Sequence, residues 1–286
     1  MRALEPAVMD KLWAAVEPLI PAVVDWHPLG THRARISDRV CFEAIITRLI
    51  LGCSWVDVET LLDRVVSDTT LRGRRDEWVA AGVFSKLADV ALHAYDRIIG
   101  LDMSDCAIDG SCQKAPCGGD GTGPSPVDRA KLGWKWSILT DRYGIPFGWT
   151  TAGANRNVIV LLGATLDDAA TRGLLDEIDT LHFDKGYDSA TMRTLTANAG
   201  LDDVVCAKRR KPGQPKPAKP VANTGSHTMG MRWPVERTNS WMTNYGQLRR
   251  NGNTDRKPAH REAALALAIA AILTVKLVKW HERWEQ

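Results

Sequence analysis

The chain is predicted to be an α/β protein in which a small all-α domain precedes a larger part built on a sheet. Three observations carry this. Apolar residues recur at helical spacing through about the first hundred residues, period-2 segments and turn chemistry begin only after Gly100, and the cationic residues are concentrated late in the chain. The composition is that of an ordinary folded protein: 44% hydrophobic and 25% charged, with Lys+Arg 37 against Asp+Glu 34. That balance excludes a bulk polycation and a disordered chain. The longest uncharged apolar run, Ala263 to Val275, is too short for a membrane span. Glu5 and Asp10 interrupt any signal-like stretch, so a cytoplasmic, reducing compartment and no membrane are expected. Cys41, Cys53, Cys106, Cys112, Cys117 and Cys206 lack the paired spacing of a zinc site and read as structural thiols.

Taken in order, Leu4, Val8, Leu12 and Val16 mark a first helix. Phe42, Ile45, Ile46, Leu49 and Ile50 mark a second, with Ser37 as N-cap and Gly52 as its end. Ser54 and Asp57 form a capping box for a third. Thr70 to Ala80 places Arg72, Arg74 and Arg75 near Leu71 and Trp78, and with the preceding helix reads as helix-turn-helix-like. These three arginines are the candidate DNA contacts of the first domain, against the alternative of a helical bundle whose arginines face water. Val83 to Ile99 completes the domain, assigned to residues 1–100.

The second domain, 101–286, opens with Ala107-Ile108, a short strand expected to end on Asp109, and then a Gly/Pro-rich loop from Ala115 to Pro126. Lys135 to Thr140 and Pro146 to Thr151 form a hairpin around Asp141-Arg142-Tyr143-Gly144. A helix over Val158 to Leu175 follows. Thr180 to Phe183 is a strand ending on Asp184, with a helix from Ser189 to Ala199 that Asp188 is expected to cap. Val204 to Ala207 closes the strand set. Residues 208–228 form a basic linker that includes Lys208, Arg209, Arg210 and Lys211, and two helices begin near Pro234 and Pro258. From Lys208 to Arg261 only Glu236 and Asp255 oppose a run of cations that also includes Arg232, Arg237, Arg249 and Arg250, which points to a polyanionic partner.

Asp109, Asp184 and Glu236 stand at two expected strand ends and one helix start, positions from which side chains reach a crevice. Converging carboxylates without Cys or His favour Mg²⁺ or Mn²⁺ over zinc. His182 beside them is a possible metal neighbour, although a strand histidine is more often a core residue. The tryptophans at 134, 136, 149 and 241 read as core packing rather than base-stacking groups.

Four ordered motifs carry a resemblance over almost the whole chain: Ile108-Asp109-Gly110-Ser111, Gly153-Ala154-Asn155-Arg156-Asn157, Phe183-Asp184-Lys185-Gly186-Tyr187-Asp188-Ser189, and Arg232-Trp233-Pro234-Val235-Glu236-Arg237-Thr238. With these motifs the chain resembles a DDE transposase of the IS5 type of bacterial insertion sequence. The resemblance implies a ribonuclease H-like α/β fold in which Asp109, Asp184 and Glu236 hold two Mg²⁺ (or Mn²⁺) ions. It also implies a double-stranded DNA substrate, and a dimer or larger assembly on two DNA ends in the bacterial cytoplasm, nucleoid-associated when active. The implied reaction frees a 3′-hydroxyl by hydrolysis at the element's end and then joins it to target DNA. Arg232 and Glu236 fit the broader group's signature around the glutamate, whereas Met229 and Thr243 stand where it has tyrosine and lysine. A same-fold nuclease that cuts without joining, and a non-catalytic DNA-binding repressor or decayed copy, are the alternatives.

Overall fold

The computed structural model describes residues 4–23, 35–206, 232–249 and 254–284. The linker 208–228, with Lys208, Arg209, Arg210 and Lys211, and also Arg250, lies outside the described residues. Five helices come first: α1 (Pro6–Val16), α2 (Asp38–Leu51), α3 (Trp55–Leu61), α4 (Asp68–Ala80) and α5 (Val83–Ile98). The Ser54–Asp57 capping box is present at α3, and Gly52 ends α2 in the left-handed conformation at φ 70°. A Cβ on Gly52 would lie 2.4 Å from the Gly246 carbonyl carbon, so this helix end abuts backbone directly. Ser37 precedes α2 but its side chain makes no capping hydrogen bond, while Ser67 caps α4.

The sheet is built from β1 (Asp105–Lys114), β2 (Gly123–Pro124), β3 (Leu132–Thr140), β4 (Pro146–Gly153), β5 (Thr180–Phe183) and β6 (Val204–Cys206). Its order is β2-β3-β1-β5-β6, with β4 also pairing β3. β3 runs antiparallel to both β1 and β4, while β1, β5 and β6 run parallel, giving a mixed sheet with β1 at its centre. Helix α6 (Val158–Thr171) packs on β3 and β4 and is followed by α7 (Ala190–Asn198), while α8 (Trp233–Thr243) joins the sheet to the long C-terminal helix α9 (Pro258–Trp284). This is the ribonuclease H-like arrangement that the resemblance implied.

Two sequence expectations change here. Asp109 lies in the middle of a ten-residue strand rather than at its end, because β1 continues through Gly110-Ser111-Cys112-Gln113 to pair with β3 as far as Gly133. The cap of α7 is Ser189, whose hydroxyl accepts from the Met192 amide, while Asp188 pairs with Arg193 at 2.5 Å.

Helix α9 is long and apolar enough to cross a membrane by length and composition, but Leu265 to Leu273 are all buried within the fold. Its apolar character is that of a central core helix, packed on α1, α2, α4 and α5 as well as on β4 and α8. One continuous hydrophobic core therefore runs from Val8 and Leu12 to Ile138 and Phe183. The first hundred residues and the sheet share it through α9.

A buried polar hub reinforces that junction. Arg48 of α2 grips Asp255 at 3.2 and 3.3 Å, Arg75 of α4 reaches the same carboxylate at 3.2 Å, and Gln247 donates to it. Both guanidinium groups lie over the Trp55 ring, at 4.5 and 5.3 Å from its centroid. Burial pushes the Asp255 carboxyl up, yet the two arginines outweigh it and hold its pKa below the ordinary value.

Asp141, fully buried in the β3–β4 turn, accepts the backbone N–H groups of Tyr143 at 2.9 Å, Ile145 at 2.7 Å and Asp102 at 3.3 Å. Burial still dominates and pushes its pKa up to about 6. Because the folded value exceeds the unfolded one, its contribution to stability is complete below the ordinary carboxylate range and is lost as pH rises through about 6. Asp141→Asn keeps the amide acceptor without the charge. Relative to wild type, the variant is expected to gain up to about 3 kcal/mol between roughly pH 4 and pH 7, on the scale of 1.36 kcal/mol per pKa unit. Urea midpoints of the two proteins across that range check it; a constant difference would contradict it.

Candidate active site

The sheet register brings the first two carboxylates together. β1 and β5 are parallel with Ile108 opposite Phe183, so Asp109, within β1, and Asp184, the first residue past the end of β5, emerge side by side. Such strands lie roughly 4.8 Å apart. The third carboxylate arrives on α8, which packs over β1 and β3. Pro234 sits in the first turn, where no N–H is needed, and Val235, Thr238 and Met242 face the protein, which turns Glu236 outward.

Three contacts dock this helix. Trp136 donates its indole N–H to the Asn239 side chain at 2.8 Å, the Thr238 hydroxyl donates to the Gly144 carbonyl, and Arg237 donates to the Tyr143 carbonyl. Gly144 is at φ 75°, and a Cβ there would stand 2.7 Å from the Pro234 carbonyl oxygen. Only glycine lets the β3–β4 turn support α8 this closely. Gly144→Ala is expected to shift α8 and lower activity roughly 10- to 100-fold at a stability cost of about 1–3 kcal/mol. Cleavage rates and melting curves measured together test this, and an unaltered rate would show that Gly144 does not set the position of Glu236.

The three carboxylates converge on one cation. The Arg232 guanidinium lies 3.8 Å from Asp109, 3.4 Å from Asp184 and 3.2 Å from Glu236. Side-chain exposure rises along the series, 21% for Asp109, 31% for Asp184 and 55% for Glu236, so the site opens from a half-buried floor to a solvent-facing rim. Burial is the main reason the Asp109 pKa is raised; the Gly110 amide and Arg232 oppose the rise, and Asp184 and Glu236 add to it. One carboxylate oxygen of Asp109 accepts the Gly110 amide at 2.8 Å, and Asp184 likewise accepts the Lys185 amide at 2.7 Å. Beneath them Tyr187 is buried against Phe183, its phenol pKa raised by burial first and by the Asp109 charge second.

Oxygen-only donors of this kind suit a hard divalent cation. In this arrangement they surround a guanidinium rather than close on one another, and among the described residues no three His, Cys, Asp or Glu side chains are gathered tightly enough to hold one metal ion. The donor set fits the group in kind and in convergence. Arg232 has to yield for a divalent ion to take the same oxygens.

The other expected site residues divide sharply. Arg74 is buried and pairs with Asp38, and Arg75 is nearly buried between Asp76 and Asp255. Neither side chain is exposed: the helix side that buries Leu71 and Trp78 also buries Arg74, and the partner of Arg75 comes from the far end of the chain. Arg72 is exposed and paired with Asp68 at 3.1 Å. Arg249 is exposed, whereas Arg237 lies between the rings of Trp233 and Trp241. His182 is a buried core residue bonded to Asp105 at 2.8 Å. Asn155, from the second motif, fills the space over Gly123, and Asn157 caps α6. Sequence reasoning missed Asn239 and Gly144; the signals were their places one turn after Glu236 and in the hairpin turn.

Comparison with known proteins agrees with this geometry. Residues 8–88 match the model of a family described as "Putative transposase of IS4/5 family", and residues 101–273 match the model "Transposase DDE domain". A Burkholderia cepacia protein named "Putative transposase for insertion sequence element IS402" is 35% identical over 133 residues, covering 45% of this chain and 57% of its own length. The chain thus spans a little over half of that relative. A second protein from the same organism, "Insertion element IS402 uncharacterized 16.2 kDa protein", is 30% identical over 122 residues, covering 43% of this chain and 82% of its own length. With a model matched over more than half its residues and three acidic side chains brought together from β1, β5 and α8, the chain belongs to the DDE transposase family.

Proposed function

We propose that the protein is a transposase that binds the ends of an insertion sequence and catalyses Mg²⁺-dependent DNA cleavage and strand transfer. The observation that carries this reading is the convergence of Asp109, Asp184 and Glu236 on a single cationic group. These three side chains would hold two Mg²⁺ (or Mn²⁺) ions. When bound, such ions activate an attacking oxygen and stabilise a departing one in an in-line displacement at phosphorus.

The chain's own residues supply the rest. The β1–β5 register holds two of the carboxylates on rigid backbone, and the Trp136–Asn239 and Thr238–Gly144 contacts hold the third. Arg232, beside all three, suits a scissile phosphate once it leaves the carboxylates, because its planar fork matches phosphate oxygens. Water attacks first and frees a 3′-hydroxyl; that hydroxyl then attacks target DNA, one phosphodiester replacing another, so no ATP is consumed. Two DNA ends imply at least a dimer at work, in the bacterial cytoplasm and on the nucleoid.

A labelled duplex carrying the element's terminal repeats, incubated with protein and Mg²⁺, is expected to yield nicked and then joined products. Nicks without joining would make the protein a nuclease, and binding alone would make it a repressor. Duplex affinity is expected to fall steeply with salt, since the run from Lys208 to Lys219 with Arg249, Arg250, Arg256 and Lys257 is cationic, and each phosphate neutralised adds about 0.9 to the log–log slope. A flat salt dependence, measured by anisotropy, would remove these residues from the DNA interface.

A further inference from the structure

Helix α8 carries a second row of side chains that the proposed chemistry does not use. Trp233, Arg237 and Trp241 recur every four residues and so lie on one side of the helix. The Arg237 guanidinium is 4.6 Å from the Trp233 ring centroid and 4.8 Å from that of Trp241. The row then passes to α9, where Lys276 Nζ stands 3.9 Å from the other end of this stack, the Trp241 ring. Beyond Lys276 the helix emerges from the core, with Lys279 and residues 281–284 exposed. At about 100° per residue, Lys279, Trp280, Arg283 and Trp284 share the side on which Lys276 lies, and the two rings are 5.9 Å apart.

A cleft of about 510 Å³ opens along this row, where Trp241, Lys276 and Lys279 meet Leu4 and Val8. The strip is thus made of indoles alternating with cations, starting next to Glu236 and ending on an exposed helix. Trp233 is 49% exposed and Trp284 74%. Of the nearby carboxylates, Glu5 borders the cleft, whereas Glu282 lies toward another side of α9. Burial, with the neighbouring Arg237 and Lys279 charges, pushes the Lys276 pKa down to about 8 although Asp141 opposes this, so an added anion relieves a crowded cation.

We infer that this strip binds single-stranded DNA leading away from the carboxylate site, with bases stacked on Trp233, Trp280 and Trp284 and phosphates held by Lys276, Lys279 and Arg283. The inference deepens the transposase reading and rests on it for the source of the strand. Indole faces exposed at Trp233 and Trp284 and half-exposed at Trp280 offer stacking only to unpaired bases, which a closed duplex does not present, and the interleaved cations match the backbone between them. A pure duplex surface would need the cations and not the indoles.

The test uses the full chain and a labelled dT oligomer of about 15 nucleotides, within the span that such sites cover, with a chelator present so that nothing is cleaved. Trp280→Ala and Trp284→Ala, both near the exposed end of α9, are each expected to weaken oligomer binding roughly tenfold, the factor given by about 1.4 kcal/mol of lost stacking. Lys279→Ala with Arg283→Ala is expected to flatten the salt dependence of that binding. Affinity for a duplex of the same length should change far less in the tryptophan variants. Absent oligomer binding by wild type, unchanged binding by the variants, or an equal loss for oligomer and duplex would each overturn the inference. So would a change of oligomeric state in light scattering without a change in oligomer affinity, since the strip would then be a protein interface. Terminal-repeat cleavage by a protein whose variants bind the oligomer normally defeats the strip alone; selective oligomer binding by a protein that never cleaves defeats the transposase reading alone.

Discussion

Asp109→Asn, Asp184→Asn and Glu236→Gln are each expected to lower cleavage and strand transfer by about a thousandfold or more while duplex binding survives. Each replacement keeps the size and shape of the side chain but removes one of the charges that would hold the divalent ions, and with them the stabilisation of both oxygens in the displacement. Binding persists because it is assigned to cations elsewhere in the chain. The effects of the three should not multiply: side chains that act as one unit lose most of their function when any member is lost, so the triple variant should be little worse than a single one. Product formation on labelled duplex, with affinity measured in parallel, distinguishes this from a general loss of fold. Three variants of independent, additive effect would speak against a shared site.

The second large effect is on stability. Asp255→Ala is expected to destabilise the protein by about 3–5 kcal/mol, the usual cost of stranding a buried charge, because Arg48 and Arg75 would keep their charges inside the fold without the carboxylate that both of them contact. Since Arg48 belongs to α2 and Arg75 to α4, the loss should loosen the packing of the helical region on α9, and the sheet should melt with it rather than separately. Denaturant unfolding followed by far-ultraviolet circular dichroism and by tryptophan fluorescence is expected to give coincident transitions, both shifted to lower denaturant. A change below about 1 kcal/mol would mean that the hub is screened by water. For the same reason Arg75→Ala should lose stability before it loses DNA affinity.

The elements that announced themselves in the sequence did so through local chemistry. Ser54 and Asp57 cap α3 within one turn, Gly52 takes the left-handed conformation at the end of α2, and the β3–β4 hairpin alternates on either side of a turn. Asp184 was legible because a short apolar strand ends there, and Glu236 because Pro234 marks a helix start whose buried positions follow the helical period.

What could not be read was set by partners distant in the chain. The second half of β1, Gly110 to Lys114, has no alternating apolar pattern of its own and is a strand because β3 supplies its hydrogen bonds. Positive charge on α4 suggested exposure, yet Arg74 pairs with Asp38 and Arg75 with Asp255, 180 residues away. Charge in a sequence does not state whether its counterion is a phosphate or a buried carboxylate. The grouping of the triad around Arg232 depends on the parallel register of β1 and β5, and no single segment contains that information.

Whether the carboxylates at 109, 184 and 236 carry the chemistry is decided by comparing Asp184→Asn with Asp188→Asn on a labelled terminal-repeat duplex in Mg²⁺. The two residues lie in one motif and receive the same conservative change, but Asp184 faces Asp109 and Glu236 across the Arg232 guanidinium whereas Asp188 pairs with Arg193 on the neighbouring helix. No nicked or joined product is expected from Asp184→Asn, and near wild-type amounts from Asp188→Asn. An inactive Asp188→Asn beside an active Asp184→Asn would mean that the triad is misassigned.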